Sequence, residues 1–334
     1  MSDLFTDVAS LLAAYGISAA EQPMITSGYS GARHSSFVQG DERYVLKRLR
    51  YDDDWLMRVT NDTAHREAAF AVSPMVERLA ARVVTPSLGA SCDGDGRAIL
   101  MRDISESLLP DAIVVPSSTM DMILARIAEM HATFWNDPMA DASVPWCGVA
   151  DRLTLLSRKT GEMLAREGRD FGIERGWDAF DRLAPPPISD LVRALHADMT
   201  PLLRILDAFP NTLLHGDLKV GNFGVDDETL WMFDWSSVMV GCAAVDLALL
   251  LTMNSSVLPW GLDETIERYA AHLERALGAE RFAVARWPAQ RDVMMLSGLV
   301  YYGWGKALDA AAGRADELRW WCEGAASAAG RFGL

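Results

Sequence analysis

Hydrophobic residues are arranged differently in the first third of the chain and in the remainder. In the first third, short runs rich in β-branched and aromatic residues lie between polar turns, as in Tyr44–Leu49 after the turn Gly40–Arg43, and this pattern is typical of β-strands. The helix formers between these runs predict a helix that begins near Asn61 or Asp62. The predicted strands lie at 37–39, 44–49, 83–88 and 97–101, and the predicted helix covers 61–81.

From about residue 118 onward, the spacing of the hydrophobic residues is helical. Ile123, Ile127 and Met130 recur at intervals of four and three residues, which places them on one face of an amphipathic helix. Pro185–Pro187 is predicted to be a loop, because consecutive prolines interrupt helices. Predicted helices lie at 119–135, 191–209, 243–253, 263–277, 288–312 and 315–329, with short strands at 213–214 and 230–233.

The composition is that of a globular protein with a sizeable core. Of the 334 residues, 50% are hydrophobic and 23% are charged, which is the balance of ordinary soluble domains. The formal net charge of −15 disfavours binding to nucleic acid or to anionic membranes, because both repel an acidic surface. The acid excess weakly favours a cationic small molecule as a partner, and solubility alone explains the charge equally well.

The sequence also favours a cytoplasmic protein. Cys92, Cys147, Cys242 and Cys322 lie far apart and lack the spacing of a metal site, so we expect reduced and mostly buried thiols. Acidic residues stand near the N-terminus, where a signal peptide would be basic. Uninterrupted apolar runs are shorter than the roughly 18 residues that a membrane span requires.

One segment concentrates groups suited to phosphoryl transfer. His215–Asn222 reads HGDLKVGN, and Phe233-Asp234-Trp235 follows it, so that Asp217 and Asp234 fall within eighteen residues. In phosphoryl transfer from a nucleotide, one carboxylate orients the acceptor hydroxyl, while an amide and a second carboxylate hold Mg²⁺ against the phosphates. A lone loop aspartate more often bonds its own backbone, but the lysine, asparagine and second aspartate at these spacings favour the catalytic interpretation.

This segment resembles the catalytic loop and metal-binding aspartate of the protein-kinase-like superfamily. Gly216, where protein kinases usually carry arginine, resembles the aminoglycoside/choline phosphotransferase branch. The resemblance extends over roughly residues 24–250 and implies an α+β fold with two lobes. A small N-lobe with an antiparallel sheet, residues 1–103, would bind the nucleotide phosphates, and a larger helical C-lobe, residues 104–334, would carry the catalytic loop and the acceptor site.

The resemblance assigns roles to the residues of the loop. Asp217 becomes the catalytic carboxylate, and Lys219 stabilises the charge of the moving phosphoryl group, with a solvated loop lysine as the alternative. Asn222 and Asp234 become ligands of Mg²⁺, an ion that takes few protein ligands and keeps several waters. His215 is expected to support the loop rather than act as a base. Asp246 is expected to bond backbone donors nearby, because a buried charge needs such partners.

Further residues in the first third complete the resemblance. Lys47 lies where a strand lysine grips nucleotide phosphates, and Glu67, twenty residues later, is its expected ion-pair partner. The alternative is an exposed lysine and a solvated glutamate. The Gly/Ser-rich run 27–37 resembles the phosphate-covering loop of aminoglycoside phosphotransferases, in which Gly28, Ser30 and Gly31 would approach the phosphates.

The segment 99–104 resembles the hinge between the lobes. There Met101 would guard the base pocket, and the backbone groups of Arg102 and Ile104 would read the adenine edge. Backbone recognition leaves no side-chain signature, so this placement follows from analogy. It also leaves the choice between ATP and GTP open.

Together these residues predict an ATP- or GTP-dependent phosphotransferase that acts on a hydroxyl group of a small molecule. Candidate acceptors are an aminoglycoside or other antibiotic, a sugar, or an amino alcohol. A protein kinase is disfavoured, because the Ala-Pro-Glu signature is missing and only eleven residues separate Asp234 from Asp246. A nucleotide-binding pseudokinase or scaffold is the alternative from another class, and such a protein would be expected to lack Asp217, Asn222 or Asp234.

Overall fold

A computed structural model of the protein describes residues 4–24, 30–110, 112–137 and 144–334. It confirms the predicted kinase-like α+β fold, with an antiparallel-rich N-terminal sheet and a helical C-terminal part. The chain forms two compact units. Unit 1 comprises Met1–Asp111, Met139–Cys147 and Gly221–Val238, and unit 2 comprises Ala112–Pro138, Gly148–Val220 and Met239–Leu334. The lobe boundary between residues 103 and 104 stays a prediction.

The strands are numbered along the chain. They are β1 Leu4–Phe5, β2 Gln22–Met24, β3 Arg33–Gln39, β4 Glu42–Leu49, β5 Val83–Val84, β6 Ser87–Asp93, β7 Gly96–Arg102, β8 Asn211–Leu214, β9 Phe223–Asp226, β10 Thr229–Met232 and β11 Met239–Cys242. The main sheet of unit 1 has the order β1-β6-β7-β4-β3-β2, and β5, β10 and β9 form a second sheet there. In unit 2, β11 pairs with β8 in antiparallel fashion.

The helices are numbered in the same way. They are α1 Val8–Ala14, α2 Trp55–Val59, α3 Arg66–Ala71, α4 Pro74–Glu77, α5 Ser117–Thr133, α6 Val149–Leu153, α7 Arg158–Arg166, α8 Ile173–Leu183, α9 Pro186–Ala197, α10 Thr200–Leu206, α11 Ala243–Asn254, α12 Leu262–Leu277, α13 Ala279–Ala285, α14 Trp287–Ala311 and α15 Ala315–Phe332.

Strand β4 is central to the main sheet, and its side chains alternate between two hydrophobic clusters. Leu46 packs in one cluster with Leu11 of α1, whereas Leu49 packs in the other with Ala68 of α3. Because every second residue of a strand faces the same side, Lys47 points to the face of Leu49. The alternation therefore directs the lysine toward α3.

The predicted helix over 61–81 is wrong in extent. The chain there forms the two short helices α3 and α4, because the ring of Pro74 cannot continue a helix. Asn61 has a φ of 50°, and the Asp62 carboxylate accepts the Arg66 N–H at 2.9 Å. The predicted strand over 83–88 is also two strands, since β5 pairs with β10 while β6 belongs to the main sheet.

The predicted helix over 191–209 is likewise two helices. The break falls at Asp198, where φ is −147° and ψ is 105°. The predicted loop at Pro185–Pro187 is wrong for its last two residues, which begin α9. Proline suits the first turn of a helix because its fixed φ is helical and the missing N–H has no partner there.

Helix α11 forms the centre of unit 2. Nearly all of its residues are buried, including Asp246. In the residues that the structure describes, the cysteines form no disulfide; Cys92 is half-buried and the others are buried, as the sequence predicts. No helix within that same part of the chain is long and apolar enough to cross a membrane.

Candidate active site

A buried cluster in unit 1 joins three of the predicted site residues. Lys47 Nζ lies 2.7 Å from Glu67 Oε2 and 2.8 Å from Asp234 Oδ1. Only 7% of Lys47 and 5% of Glu67 is exposed. The predicted ion pair is therefore confirmed, and the alternative of an exposed lysine with a solvated glutamate is wrong.

The charges in this cluster reflect burial and mutual attraction. Burial by itself would lower the pKa of Lys47, but the carboxylates of Asp234 and Glu67 outweigh it and raise that pKa, so the ammonium stays charged. Burial raises the pKa of Glu67 to about 7 against the opposing charge of Lys47. Near neutral pH the cluster therefore contains the Lys47 ammonium, the Asp234 side chain and a Glu67 side chain that is only partly ionised.

A β-hairpin brings Asn222 and Asp234 to the same end of unit 1. Strands β9 and β10 pair with Phe223 opposite Met232, and the Asn222 carbonyl accepts the Phe233 N–H at 3.2 Å. Both predicted metal ligands therefore flank the open end of one hairpin. Within the described part of the chain, no group of three or more His, Cys, Asp and Glu side chains has the arrangement of a metal site. The predicted ligand set of one amide, Asn222, and one carboxylate, Asp234, stays a prediction.

The backbone of Asp234 is held in a left-handed conformation, with φ 61° and ψ 57°, which is uncommon for a residue other than glycine. Trp235 donates its indole N–H to the Met232 carbonyl at 3.0 Å, and its ring lies 4.6 Å from that of Phe70 in α3. Arg66, also in α3, donates to the Ser236 carbonyl at 3.0 Å. Helix α3 thus supplies Glu67 and also contacts the turn that carries Asp234.

The predicted phosphate loop is described only from Ser30 onward, and Gly28 lies outside the described residues. Ser30 accepts the Trp55 N–H through its carbonyl at 3.0 Å. Gly31 has a φ of 125°, and a Cβ there would lie 2.1 Å from the Asp53 carbonyl oxygen, so this position requires glycine on steric grounds. The phosphate-binding role of Ser30 and Gly31 stays a prediction.

The predicted hinge lies at the end of β7. Met101 pairs with Val45 of β4, and the Arg102 N–H donates to the Pro86 carbonyl at 2.9 Å. The Ile104 carbonyl accepts the Ser107 N–H, also at 2.9 Å. The groups that would read a nucleotide base are therefore the carbonyl of Arg102 and the N–H of Ile104, and this recognition stays a prediction.

Asp217 lies between two cations in unit 2. Lys219 Nζ is 2.7 Å from Asp217 Oδ2, and Arg152 Nη2 is 2.5 Å from Oδ1. Arg152 comes from α6 and is 1% exposed; its Nε donates to the Gly216 carbonyl, and its Nη2 lies 3.0 Å from the Tyr301 hydroxyl. The ammonium of Lys219 is ion-paired with Asp217 while its side chain is 33% exposed, and the role of Lys219 in phosphoryl transfer stays a prediction.

Hydrogen bonds from α11 and α5 support the loop. Asp246 accepts the His215 N–H at 2.8 Å and the Gly216 N–H at 2.9 Å, and His131 Nε2 lies 3.3 Å from it. His215 Nδ1 accepts the Asp217 N–H at 3.2 Å. The supporting positions predicted for His215 and Asp246 are confirmed. Gly216 has a φ of 76°, a conformation that glycine adopts without strain.

The sequence profile of the phosphotransferase enzyme family, APH, matches residues 25–287. The chain belongs to this family. The resemblance drawn from the HGDLKVGN segment is thereby confirmed. Among curated proteins, no sequence match was found.

Solved structures with a similar fold include two choline kinases and an aminoglycoside phosphotransferase. The choline kinase from Cryptosporidium parvum Iowa II has 11% identity and a TM-score of 0.50, over 95% of this chain and 88% of that one. The choline kinase LicA from Streptococcus pneumoniae has 13% identity and a TM-score of 0.49, over 96% and 98%. A thermostable mutant of the aminoglycoside phosphotransferase APH(4)-Ia, in its apo form, has 16% identity and a TM-score of 0.47, over 94% and 96%.

The sequence of this phosphotransferase family member did not reveal every residue of the site. Arg152, which contacts Asp217, stands in a short helix without a motif. Tyr301, which contacts Arg152, is one of many aromatic residues in the last third of the chain. His34 lies opposite Lys47 in the β3–β4 register, and burial, aided by the charge of Lys47, lowers its pKa to about 4, so it is neutral at physiological pH.

Proposed function

We propose that this phosphotransferase family member transfers the γ-phosphoryl group of ATP or GTP to a hydroxyl group of a small molecule. The observation that carries the proposal is the buried cluster in which Glu67 and Asp234 hold Lys47 in its charged form. A structural lysine gains little from such burial, because dehydration offsets most of the attraction. A lysine that must present a fixed charge to nucleotide phosphates requires this kind of support.

In this proposal Lys47 neutralises the α- and β-phosphates while Glu67 orients it. Ser30 and Gly31 belong to the loop that covers the phosphates. Met101, Arg102 and Ile104 border the base, with recognition through the Arg102 carbonyl and the Ile104 N–H. Because these contacts involve backbone, they are compatible with either ATP or GTP.

Asn222 and Asp234 are the proposed holders of Mg²⁺. Their donor atoms are hard oxygens, one neutral and one anionic, and such a sparse set suits an ion that keeps part of its water shell. When bound, Mg²⁺ would supply neutralisation of charge on the phosphate oxygens.

Asp217 is the proposed catalytic carboxylate. It would orient the acceptor hydroxyl and receive its proton as the acceptor oxygen bonds to the γ-phosphorus and the bond from that phosphorus to the leaving nucleoside diphosphate breaks. Lys219, whose side chain is 33% exposed, would then leave Asp217 for the transferring phosphoryl group. Asp217 and Asn222 are five residues apart in the sequence.

The acceptor is proposed to be a small molecule with a hydroxyl group, and the net charge of −15 favours a cationic one. Aminoglycosides, other antibiotics, sugars and amino alcohols such as choline form the test panel. The purified protein is incubated with Mg²⁺, ATP or GTP, and each acceptor, and phosphate transfer is followed by mass spectrometry of the acceptor. We expect turnover with at least one class of acceptor.

The control is Asp217→Asn, which keeps the size of the side chain and removes its charge. We expect this variant to lose turnover while its melting temperature still rises with nucleotide and Mg²⁺. Turnover that survives in Asp217→Asn would assign the chemistry to another residue. If neither nucleotide changed the melting temperature of the wild-type protein, the proposed roles of Lys47, Asn222 and Asp234 would be contradicted.

A further inference from the structure

Arg152 stands out among the buried charges that the resemblance does not explain. We infer that Arg152 is a positioning residue for Asp217, which fixes Oδ1 and keeps the carboxylate ionised so that Oδ2 faces the acceptor hydroxyl. The inference rests on the proposed catalytic role of Asp217. It adds a residue from α6 to a site otherwise built from the loop itself.

Arg152 contacts the catalytic loop at two points. Its Nε donates to the Gly216 carbonyl, and its Nη2 lies 2.5 Å from Asp217 Oδ1. Because the guanidinium is a rigid plane, the two bonds fix the carboxylate relative to the backbone that precedes it. A lysine at this position would offer a single flexible charge and could not hold both groups in the same way.

Arg152 is itself held in place by Tyr301. The Tyr301 hydroxyl lies 3.0 Å from Arg152 Nη2, and the guanidinium carbon lies 4.5 Å from the centre of the tyrosine ring. Burial raises the pKa of Tyr301, so its hydroxyl stays neutral and accepts from the arginine. The next residue, Tyr302, has non-helical φ and ψ of −131° and 17° inside α14, and such helix defects are frequent at functional sites.

The two cations on Asp217 differ in a way that suggests a division of roles. The Lys219 side chain is one-third exposed, whereas the Arg152 side chain is 1% exposed. When Lys219 turns toward a phosphoryl group, Arg152 remains as the counter-charge. Without it, a carboxylate whose side chain is only 11% exposed would tend to take up a proton and could no longer accept one from the hydroxyl.

The test is a titration of Asp217 that needs no substrate. The charged and titratable groups that contact Asp217 include Arg152, Lys219 and His215, with Tyr301 behind Arg152. Protein labelled with ¹³C at the aspartate carboxyl carbon is titrated by NMR, and Asp217→Asn identifies the signal. We expect the Asp217 midpoint to rise by about one pH unit or more in Arg152→Gln.

Matched variants separate charge from geometry. Arg152→Lys keeps a charge and should move the midpoint less than Arg152→Gln, and it serves as the second test should the glutamine variant fail to fold. Tyr301→Phe removes one bond to Arg152 and should give a small shift in the same direction. Arg158→Gln, which removes an exposed arginine of α7 paired with Asp178, should leave the midpoint unchanged.

The same variants are then compared by kinetics with whichever acceptor turns over. The acid limb of the kcat/KM profile should move to higher pH in Arg152→Gln in parallel with the NMR midpoint, while the KM for nucleotide stays within about twofold, since Arg152 acts on the acceptor step. An unchanged Asp217 midpoint in folded Arg152→Gln would overturn the inference. A wild-type protein that phosphorylates nothing would refute the proposed function, and the titration would still decide the role of Arg152.

Discussion

Replacing Lys47 with methionine removes the charge of the buried cluster at nearly constant length. Each ion pair of Lys47, at 2.7 and 2.8 Å, has a gross attraction of about 6 kcal/mol at an effective dielectric constant of about 20. Dehydration of the three groups offsets most of this attraction, but loss of one partner leaves the others uncompensated, which typically costs about 3–5 kcal/mol. Because the Asp234 side chain is 34% exposed and Glu67 can take up a proton, we expect Lys47→Met to lower the free energy of unfolding by about 3 kcal/mol, the low end of this range.

Urea unfolding of wild type and three lysine variants would measure this loss. Lys306 is a matched buried control, because it is 3% exposed and its ammonium lies 2.6 Å from Glu317 in unit 2. Lys159 is exposed on α7 and is the surface control. We expect losses of about 2–4 kcal/mol for Lys47→Met and Lys306→Met, and less than about 0.5 kcal/mol for Lys159→Met.

Nucleotide then distinguishes the two buried lysines. With Mg²⁺ and ATP or GTP, the melting temperature should rise in wild type, Lys306→Met and Lys159→Met, and should change little in Lys47→Met, because Lys47 is proposed to contact phosphate and the other two substituted lysines are not. The reasoning fails if Lys47→Met unfolds with the same free energy as wild type. It also fails if that variant keeps the full thermal shift with nucleotide.

Three further predictions concern packing, pH and thiol reactivity. Gly176→Ala should destabilise the protein by about 2 kcal/mol or more in urea unfolding, because the new Cβ would lie 2.7 Å from the Trp304 carbonyl oxygen. Gly330→Ala in α15, where the new Cβ meets open space, should stabilise the protein by about 0.5–1 kcal/mol. Equal effects of the two substitutions would contradict the packing of Gly176 against Trp304. Burial lowers the pKa of His196, so the unfolded chain binds the proton more readily and the free energy of unfolding decreases as the pH falls below about 6.5. Between pH 7.5 and 5.5, His196→Gln should therefore lose less free energy of unfolding than wild type. An identical loss in the two proteins would argue against the lowered pKa of His196. Ellman's reagent should modify Cys92 rapidly in the native protein and the three buried cysteines only after unfolding, and four equally fast thiols would refute their burial.

The sequence by itself predicted the candidate catalytic and metal-binding residues. Asp217, Lys219, Asn222 and Asp234 fall within eighteen residues; one short loop carries the ion pair of Asp217 with Lys219, and one hairpin carries Asn222 and Asp234. The apolar runs between polar turns and the helical spacing of later segments also predicted the order of the elements, because such patterns are local properties of the chain. The ion pair of Lys47 with Glu67 was predicted from the family resemblance. In the structure, the packing of β4 against α3 brings the two side chains together.

Only the tertiary structure decided which distant groups complete the site and where the helices break. Arg152 contacts Asp217 across sixty-five residues of sequence, and Tyr301 contacts Arg152 across 149; no local pattern marks either residue. No local pattern marks the end of β5 either, and its two residues pair with β10 rather than extending the next strand. A buried charge must find its partner wherever packing places one, and that choice depends on the whole fold rather than on neighbouring residues.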